Sequence, residues 1–95
     1  MNKYTDIVKK IHSSPFKITF VSSGGGTNAI SSLLEVPGAS DTILESYIPY
    51  SKESMDQFLN RKPDHYCSLD TCLSMGANAF KKSREIASKT KSKYL

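Results

Sequence analysis

The 95-residue chain has no apolar run of the ~18 residues that a transmembrane helix needs. Its N-terminus also lacks the basic-then-apolar layout of a secretory signal. We therefore expect a cytoplasmic protein with no membrane partner. Apolar residues make up 38% of the chain, which is enough for the core of one small domain.

Metal ligands are scarce as well. The chain has two histidines, His12 and His65, and two cysteines, Cys67 and Cys72. No second cysteine or histidine pair completes a four-ligand set, so the sequence offers no metal site. Cysteines five residues apart point in different directions on a helix, so we expect reduced structural thiols rather than a disulfide. His12 lies at the end of a predicted helix, and we expect its imidazole to face solvent.

Acidic residues are scarce in one part of the chain only. Residues 1–80 carry seven Lys/Arg and eight Asp/Glu, whereas residues 81–95 carry six Lys/Arg and one acidic residue, Glu85. A nucleic-acid partner would therefore depend on the C-terminal stretch alone. Cations near a helix C-terminus are favourable with respect to the helix dipole, and this simpler interpretation disfavours a nucleic-acid partner.

Hydrophobic spacing predicts six elements in the order α-β-α-β-α-α. Ser51 and Ser68 each precede a predicted helix and are of a residue type that caps helix N-termini. The predicted helices are 4–13, 27–35, 51–60 and a long last helix after Ser68. The predicted strands are 16–22 and 42–50. The residues expected to be buried on the helices are Tyr4, Ile7, Val8 and Ile11; Ala29, Ile30, Leu33 and Leu34; Met55, Phe58 and Leu59; and Leu69, Leu73, Gly76, Phe80 and Ala87.

The fold class that this order predicts is α/β. A strand–helix–strand unit has a right-handed crossover and a parallel pair of strands, and helices normally cover both faces of a parallel sheet. We expect a partial three-layer α/β unit whose short parallel sheet, with two predicted strands, is flanked by helices. Two strands are few for such a sheet, and residues 92–95 look like the start of a third. A homo-oligomer, or further domains of a longer chain, would cover the open edge.

Residues 22–26, Ser-Ser-Gly-Gly-Gly, lie where the first predicted strand ends and the second helix begins. Ligands bind at this end of a strand in α/β sheets, and glycines and helix N-termini offer N–H groups to anions. The loop has neither a GxGxxG pattern nor a GK[ST] ending, so an anion site and a plain turn both stay open. Tyr50 would lie beside the loop if the two strands are neighbours, although a half-buried aromatic is the simpler interpretation. Lys52 follows, and a lysine of lowered pKa can act as the base for a serine.

These motifs resemble the C-terminal domain of the competence-damage protein CinA, a family that includes nicotinamide-nucleotide amidohydrolases. The family's V-P-G-[SA]-S motif matches residues 36–40, and its Y-S pair matches Tyr50 and Ser51. With these anchors, the serine of the family's E-S-C-T-G-G loop aligns with Ser23. The later segment 67–80 resembles the family's S-x-x-[VT]-[AC]-x-x-M-A-x-G-A helix.

The resemblance implies a pyridine-nucleotide site and hydrolysis of the nicotinamide amide to the acid and ammonia, with no cofactor. By this resemblance Ser23 would attack the amide carbon, and Tyr50 would orient the substrate or relay a proton. Backbone N–H groups would hold an oxyanion or a phosphate. The ligand-binding residues that the resemblance implies are Ser22, Gly24, Gly25, Gly26 and Thr27.

The chain also departs from the family pattern. The family's catalytic lysine position holds Met55, which cannot accept a proton, and general-base catalysis typically supplies ~10²–10⁴ in rate. Lys52 is the nearest substitute but lies on an adjacent helix face. We therefore expect residues 1–95 to be the N-terminal part of a divergent CinA-like domain that binds a pyridine nucleotide or phosphate, with weak or absent amidohydrolase activity. An active amidohydrolase and a non-catalytic interaction module are the alternatives.

Overall fold

The computed structural model describes residues 4–87 and the backbone of residues 93–94. All predicted helices and strands are present, and the last residues add a short third strand. The elements are α1 (Thr5–His12), β1 (Phe16–Val21), α2 (Thr27–Glu35), a 3₁₀ turn (Ala39–Asp41), β2 (Ile43–Tyr47), α3 (Lys52–Leu59), α4 (Leu69–Ala87) and β3 (Lys93–Tyr94).

The three strands form a parallel sheet in the order β2-β1-β3. Val21 of β1 pairs with Tyr47 of β2, and Phe16 pairs with Lys93 of β3 on the other side. β2 lies on one side of β1 and β3 on the other side, so the β1–β2 and β2–β3 connections cross the sheet in opposite directions. Because parallel crossovers are right-handed, α2 and the α3–α4 pair cover opposite faces of the sheet. The predicted α/β fold with a parallel sheet flanked by helices is confirmed.

Side chains on one face of β1 hold the α3–α4 layer. The Ser83 hydroxyl on α4 donates a hydrogen bond to Thr19 Oγ1 over 2.6 Å, and both residues are buried. Val21 packs against the main apolar cluster. The buried members of that cluster, from α3 and α4, are Met55, Leu59 and Met75.

Both predicted N-caps are confirmed. Ser51 Oγ accepts the Ser54 N–H over 3.0 Å at the start of α3, and Ser68 Oγ accepts the Thr71 N–H over 3.1 Å at the start of α4. Each cap satisfies one of the backbone donors that a helix N-terminus leaves without an intrahelical partner.

The buried face of α4 differs from the prediction. Leu69, Leu73 and Phe80 are 75%, 64% and 44% exposed. The residues that are buried instead lie four apart. Because the helix has 3.6 residues per turn, such a row runs obliquely along the surface of α4. Small and hydroxyl side chains in this row permit a close approach to the sheet. The buried residues of α4 are Thr71, Met75, Ala79, Ser83 and Ala87.

Apolar residues of α1 and α2 are also more exposed than predicted. Tyr4 and Ile7 are 47% and 59% exposed, and on α2 Ile30 is buried whereas Leu34 is 56% exposed. The residues of α1 that are buried are Val8 and His12. The contacts of α1 are therefore fewer and more polar than the apolar spacing indicates.

The expectation that His12 faces solvent is wrong. Its imidazole is 7% exposed, and Nε2 donates to the Leu33 carbonyl over 2.8 Å. A carbonyl can only accept, so the proton lies on Nε2, and the Thr42 hydroxyl can donate to Nδ1 over 3.0 Å. These two bonds join α1 to α2 and to the residue before β2, at the amino end of the sheet.

Cys67 and Cys72 are free and exposed, so neither thiol packs in the core. Over residues 4–87, no helix has both the length and the apolar character that crossing a membrane requires. The same residues contain no group of three His, Cys, Asp or Glu that could hold a metal ion.

Candidate ligand-binding site at the carboxyl end of the sheet

The loop of residues 22–26 lies at the carboxyl end of the parallel sheet. The chain leaves β1 towards β2 on one side and later adds β3 on the other side, so the strand order changes direction between β1 and β3. In open parallel sheets, ligands bind outside the carboxyl ends of the strands at such a change of direction. The loop therefore occupies the position where this fold class binds ligands.

Two glycines and one serine give the loop its shape. Gly24 and Gly26 have φ angles of 126° and 87°, a left-handed region that side chains disfavour. Ser22 holds the loop to the sheet, because its N–H donates to the Tyr47 carbonyl over 3.0 Å. Its hydroxyl donates to the Gly25 carbonyl, and the residue is 8% exposed. Ser22 therefore shapes the loop from within, and its hydroxyl is already in use.

The N-terminus of α2 presents free backbone donors next to the loop. Gly26 occupies the N-cap position and has no side chain to accept a hydrogen bond. Its carbonyl accepts the Ala29 N–H over 3.1 Å. Within the described part of the chain, nothing accepts from the N–H groups of Thr27 and Asn28. These groups and the positive end of the helix dipole suit an anion.

Tyr50 lies beside this loop, as the sequence predicts. A Cβ placed on Gly24 would be 3.3 Å from Tyr50 Cε1, so the ring approaches the backbone of the loop closely. The alternative of a half-buried aromatic is wrong, because Tyr50 is 79% exposed. The loop and the exposed Tyr50 ring therefore adjoin each other at the surface.

Among residues 4–87, no base is hydrogen-bonded to Ser23. Ser23 is exposed, and its hydroxyl makes no hydrogen bond to any residue of 4–87. The Lys52 ammonium lies 5.8 Å from the centre of the Tyr66 ring. Met55, at the family's lysine position, is 3% exposed and belongs to the apolar core. His12 lies at the amino end of the sheet and cannot serve as a base.

A second group of side chains, which the sequence analysis missed, lies between β2, α3 and α4. The Tyr47 and Phe58 rings are 5.3 Å apart and tilted by 52°. The Lys82 ammonium lies 5.0 Å from the centre of the Tyr47 ring and 5.8 Å from that of Phe58. No local pattern could reveal this group, because its members come from three separate elements.

The Tyr47 hydroxyl donates a hydrogen bond to Glu45 on the same face of β2. This bond raises the pKa of Tyr47 to about 12, with further contributions from burial and from the negative charges of Glu45 and Glu85. A similar bond from Tyr66 to Asp56, of 2.8 Å, raises the pKa of Tyr66. Both phenols therefore stay protonated donors at neutral pH.

No protein-family model, curated protein or solved structure matches this chain. The resemblance to the CinA family therefore depends on the sequence motifs, and the candidate site depends on the geometry of the loop.

Proposed function

We propose that this chain is a divergent CinA-like domain that binds a pyridine nucleotide, or a similar phosphate-bearing ligand, at residues 22–27. The observation that carries the proposal is the glycine loop with free backbone donors at the change of strand direction. An anion needs close-lying N–H groups, and Gly24 and Gly26 leave the backbone unobstructed.

Each part of the site has a distinct role in this proposal. The N–H groups of Thr27 and Asn28 at the start of α2, with those of the loop, hold the phosphate. The exposed Tyr50 ring offers a flat face on which a nicotinamide ring can stack. Ser22 maintains the conformation of the loop, and Ser23 presents an exposed hydroxyl to the ligand.

The geometry supports binding over hydrolysis. Attack by Ser23 on an amide requires a base to remove the hydroxyl proton. The Lys52 ammonium lies 5.8 Å from the centre of the Tyr66 ring and makes no hydrogen bond to Ser23, and the residue that aligns with the family's lysine is a buried methionine. We therefore expect amide hydrolysis to be absent or slower by the ~10²–10⁴ that a general base supplies.

The test of binding is isothermal titration with nicotinamide mononucleotide, with inorganic phosphate in parallel. Gly25→Val is the test variant. A Cβ at Gly25 meets nothing within 4 Å, so the loop is not strained, and the added side chain would occupy space beside the N–H groups that we propose bind the anion. Gly76→Val on α4 is the matched control, since a Cβ there also meets nothing within 4 Å. We expect binding to be lost in Gly25→Val and kept in Gly76→Val. Equal binding by both variants, or no binding by a folded monodisperse protein, would contradict the site.

Hydrolysis is tested separately by ammonia release from nicotinamide mononucleotide at high protein concentration. We expect no ammonia release, or release no faster than hydrolysis without a general base. Fast turnover that Ser23→Ala abolishes would overturn the weak-activity part of the proposal while leaving the binding site in place.

A further inference from the structure

The outer edge of β2 is an open strand edge. The Tyr47 carbonyl accepts the Ser22 N–H, so the peptide groups of Tyr47 point inward, towards β1. Successive residues of a strand direct their N–H and C=O groups to opposite sides, so those of Ser46 and Ile48 point outward. Across residues 4–87, neither residue has a hydrogen-bond partner for these outward groups. Unpaired edges of this kind can accept a further strand.

A cleft of about 550 Å³ lies along this same edge. It is bounded on one side by four consecutive residues, 46–49, and on the other by α3, with α4 contributing a single side chain. Its volume lies within the range of ligand sites. The side chains from the two helices that line it are Ser54, Gln57, Phe58 and Lys82.

Lys82 brings a positive charge to the lining of the cleft. Its ammonium lies over the Tyr47 and Phe58 rings, and it forms no ion pair with any described residue. Glu45, on the same strand face, accepts the Tyr47 hydroxyl and forms no ion pair with Lys82, although its negative charge and that of Glu85 act on Tyr47. Attraction to the two rings positions the ammonium but leaves its N–H donors for another acceptor.

We propose that this edge and cleft bind an extended segment of a partner protein, which adds to β2 as a further strand and places an acidic side chain on Lys82. Backbone hydrogen bonds to Ser46 and Ile48 supply the affinity, and the charge of Lys82 supplies the preference for Asp or Glu. β2 ends at Tyr47, and Ile48 is the next residue with outward backbone groups, so the added strand is short. A small-molecule ligand would leave the outward backbone groups without a role.

The probe is the capped peptide Thr-Val-Glu-Val-Thr, titrated into the ¹⁵N-labelled full chain, with Thr-Val-Gln-Val-Thr as the matched peptide. We expect the amide signals of Ser46 and Ile48 to shift. The Glu peptide should bind roughly five- to tenfold more tightly than the Gln peptide, as for one partly buried charge pair. Shifts confined to other residues, or equal affinity of the two peptides, would overturn the proposal.

Three variants separate the charge from the backbone contacts. Lys82→Gln should abolish the preference for the Glu peptide, whereas Lys81→Gln, on an exposed neighbour that does not line the cleft, should leave it unchanged. Ile48→Pro removes one outward N–H and should weaken both peptides equally. Circular dichroism on each variant establishes that the fold is intact.

A second copy of this chain is the competing occupant of the edge. Concentration-dependent dimerisation that Ile48→Pro abolishes, with no binding of either peptide, would assign the edge to self-association and overturn the proposal. The cleft and loop 22–26 are tested with different probes, so failure of one proposal does not imply failure of the other.

Discussion

The two ends of the sheet are built in opposite ways. At the amino end, the His12 imidazole bonds to Leu33 and to Thr42, whose side chain is 0% exposed. At the carboxyl end, Ser23 is exposed and Tyr50 is 79% exposed, and the first N–H groups of α2 have no protein acceptor among the described residues. The buried polar groups at the amino end are bonded internally, whereas at the carboxyl end Ser22 is bonded internally but Ser23 and the first N–H groups of α2 are left to solvent.

The residues that matter most for stability should therefore lie at the amino end, and those proposed to bind a ligand lie at the carboxyl end. A buried polar group must be hydrogen-bonded, so the amino end depends on each of its partners and tolerates little change. Donors exposed to solvent at the carboxyl end cost little in the free protein and can bind a ligand instead of water. Substitutions should therefore affect folding at the amino end and ligand binding at the carboxyl end.

The largest effect is expected for His12→Ala. The change leaves the Thr42 hydroxyl and the Leu33 carbonyl without a partner and opens a cavity, so we expect a loss of about 2–4 kcal/mol in the free energy of unfolding. Urea denaturation measures it. Ser23→Ala, at the carboxyl end, is the control and should change the free energy by less than about 0.5 kcal/mol. Equal losses in the two variants would remove the distinction between the ends.

Two glycine substitutions test how tightly the backbone is constrained at each end of the sheet. Gly38 has a φ angle of 101°, and a Cβ there would lie 3.3 Å from His12 Cβ. Gly38→Ala should therefore cost about 1–3 kcal/mol. At Gly25 a Cβ meets nothing within 4 Å, so Gly25→Ala should be close to neutral. Thermal unfolding of both variants checks this, and a neutral Gly38→Ala would show that the amino end is less tightly constrained than we describe.

The two helix starts at the carboxyl end allow a finer comparison. α3 is capped by the Ser51 side chain, whereas α2 begins at Gly26 without a side-chain cap. Ser51→Ala should cost about 1 kcal/mol of stability without weakening nucleotide binding. Denaturation and isothermal titration on one sample measure both, and a loss of nucleotide binding would place the ligand at α3 instead.

The smallest effect is expected from the pH dependence due to Tyr47. Its pKa is raised to about 12 in the folded chain, against an ordinary value of about 10. The hydrogen bond to Glu45 therefore contributes fully below pH 10, and its contribution is lost as the pH rises from about 10 to about 12. Wild type and Tyr47→Phe should converge in stability over that range. Denaturation at stepped alkaline pH measures it, and a constant difference would contradict the assigned bond.

The sequence predicts the elements well because their signals are local. Alternation marks β1, the three glycines end it, and Ser51 and Ser68 cap the helices that follow them. The buried face of α4 was not predictable, since it depends on the angle at which the helix crosses the sheet. Hydrophobic spacing also missed His12 and Ser83, because both are buried through hydrogen bonds to distant residues rather than through apolar contacts.

The candidate site also combines features that local sequence predicts with features that it does not. The loop and its neighbour Tyr50 follow from the parallel arrangement of two adjacent strands, so the sequence could place them together. The position of the Lys52 ammonium over Tyr66 and the group formed by Tyr47, Phe58 and Lys82 depend on long-range packing. Local spacing carries no information about such contacts.

The central claim is most directly tested by amide chemical shifts of the ¹⁵N-labelled chain during titration with nicotinamide mononucleotide. Binding at the carboxyl end predicts the largest shifts at Gly24, Gly25, Gly26 and Thr27, with the amides of His12 and Thr42 unchanged. Saturable shifts centred on the amino end, or no shifts at ligand concentrations that saturate ordinary nucleotide sites, would contradict it.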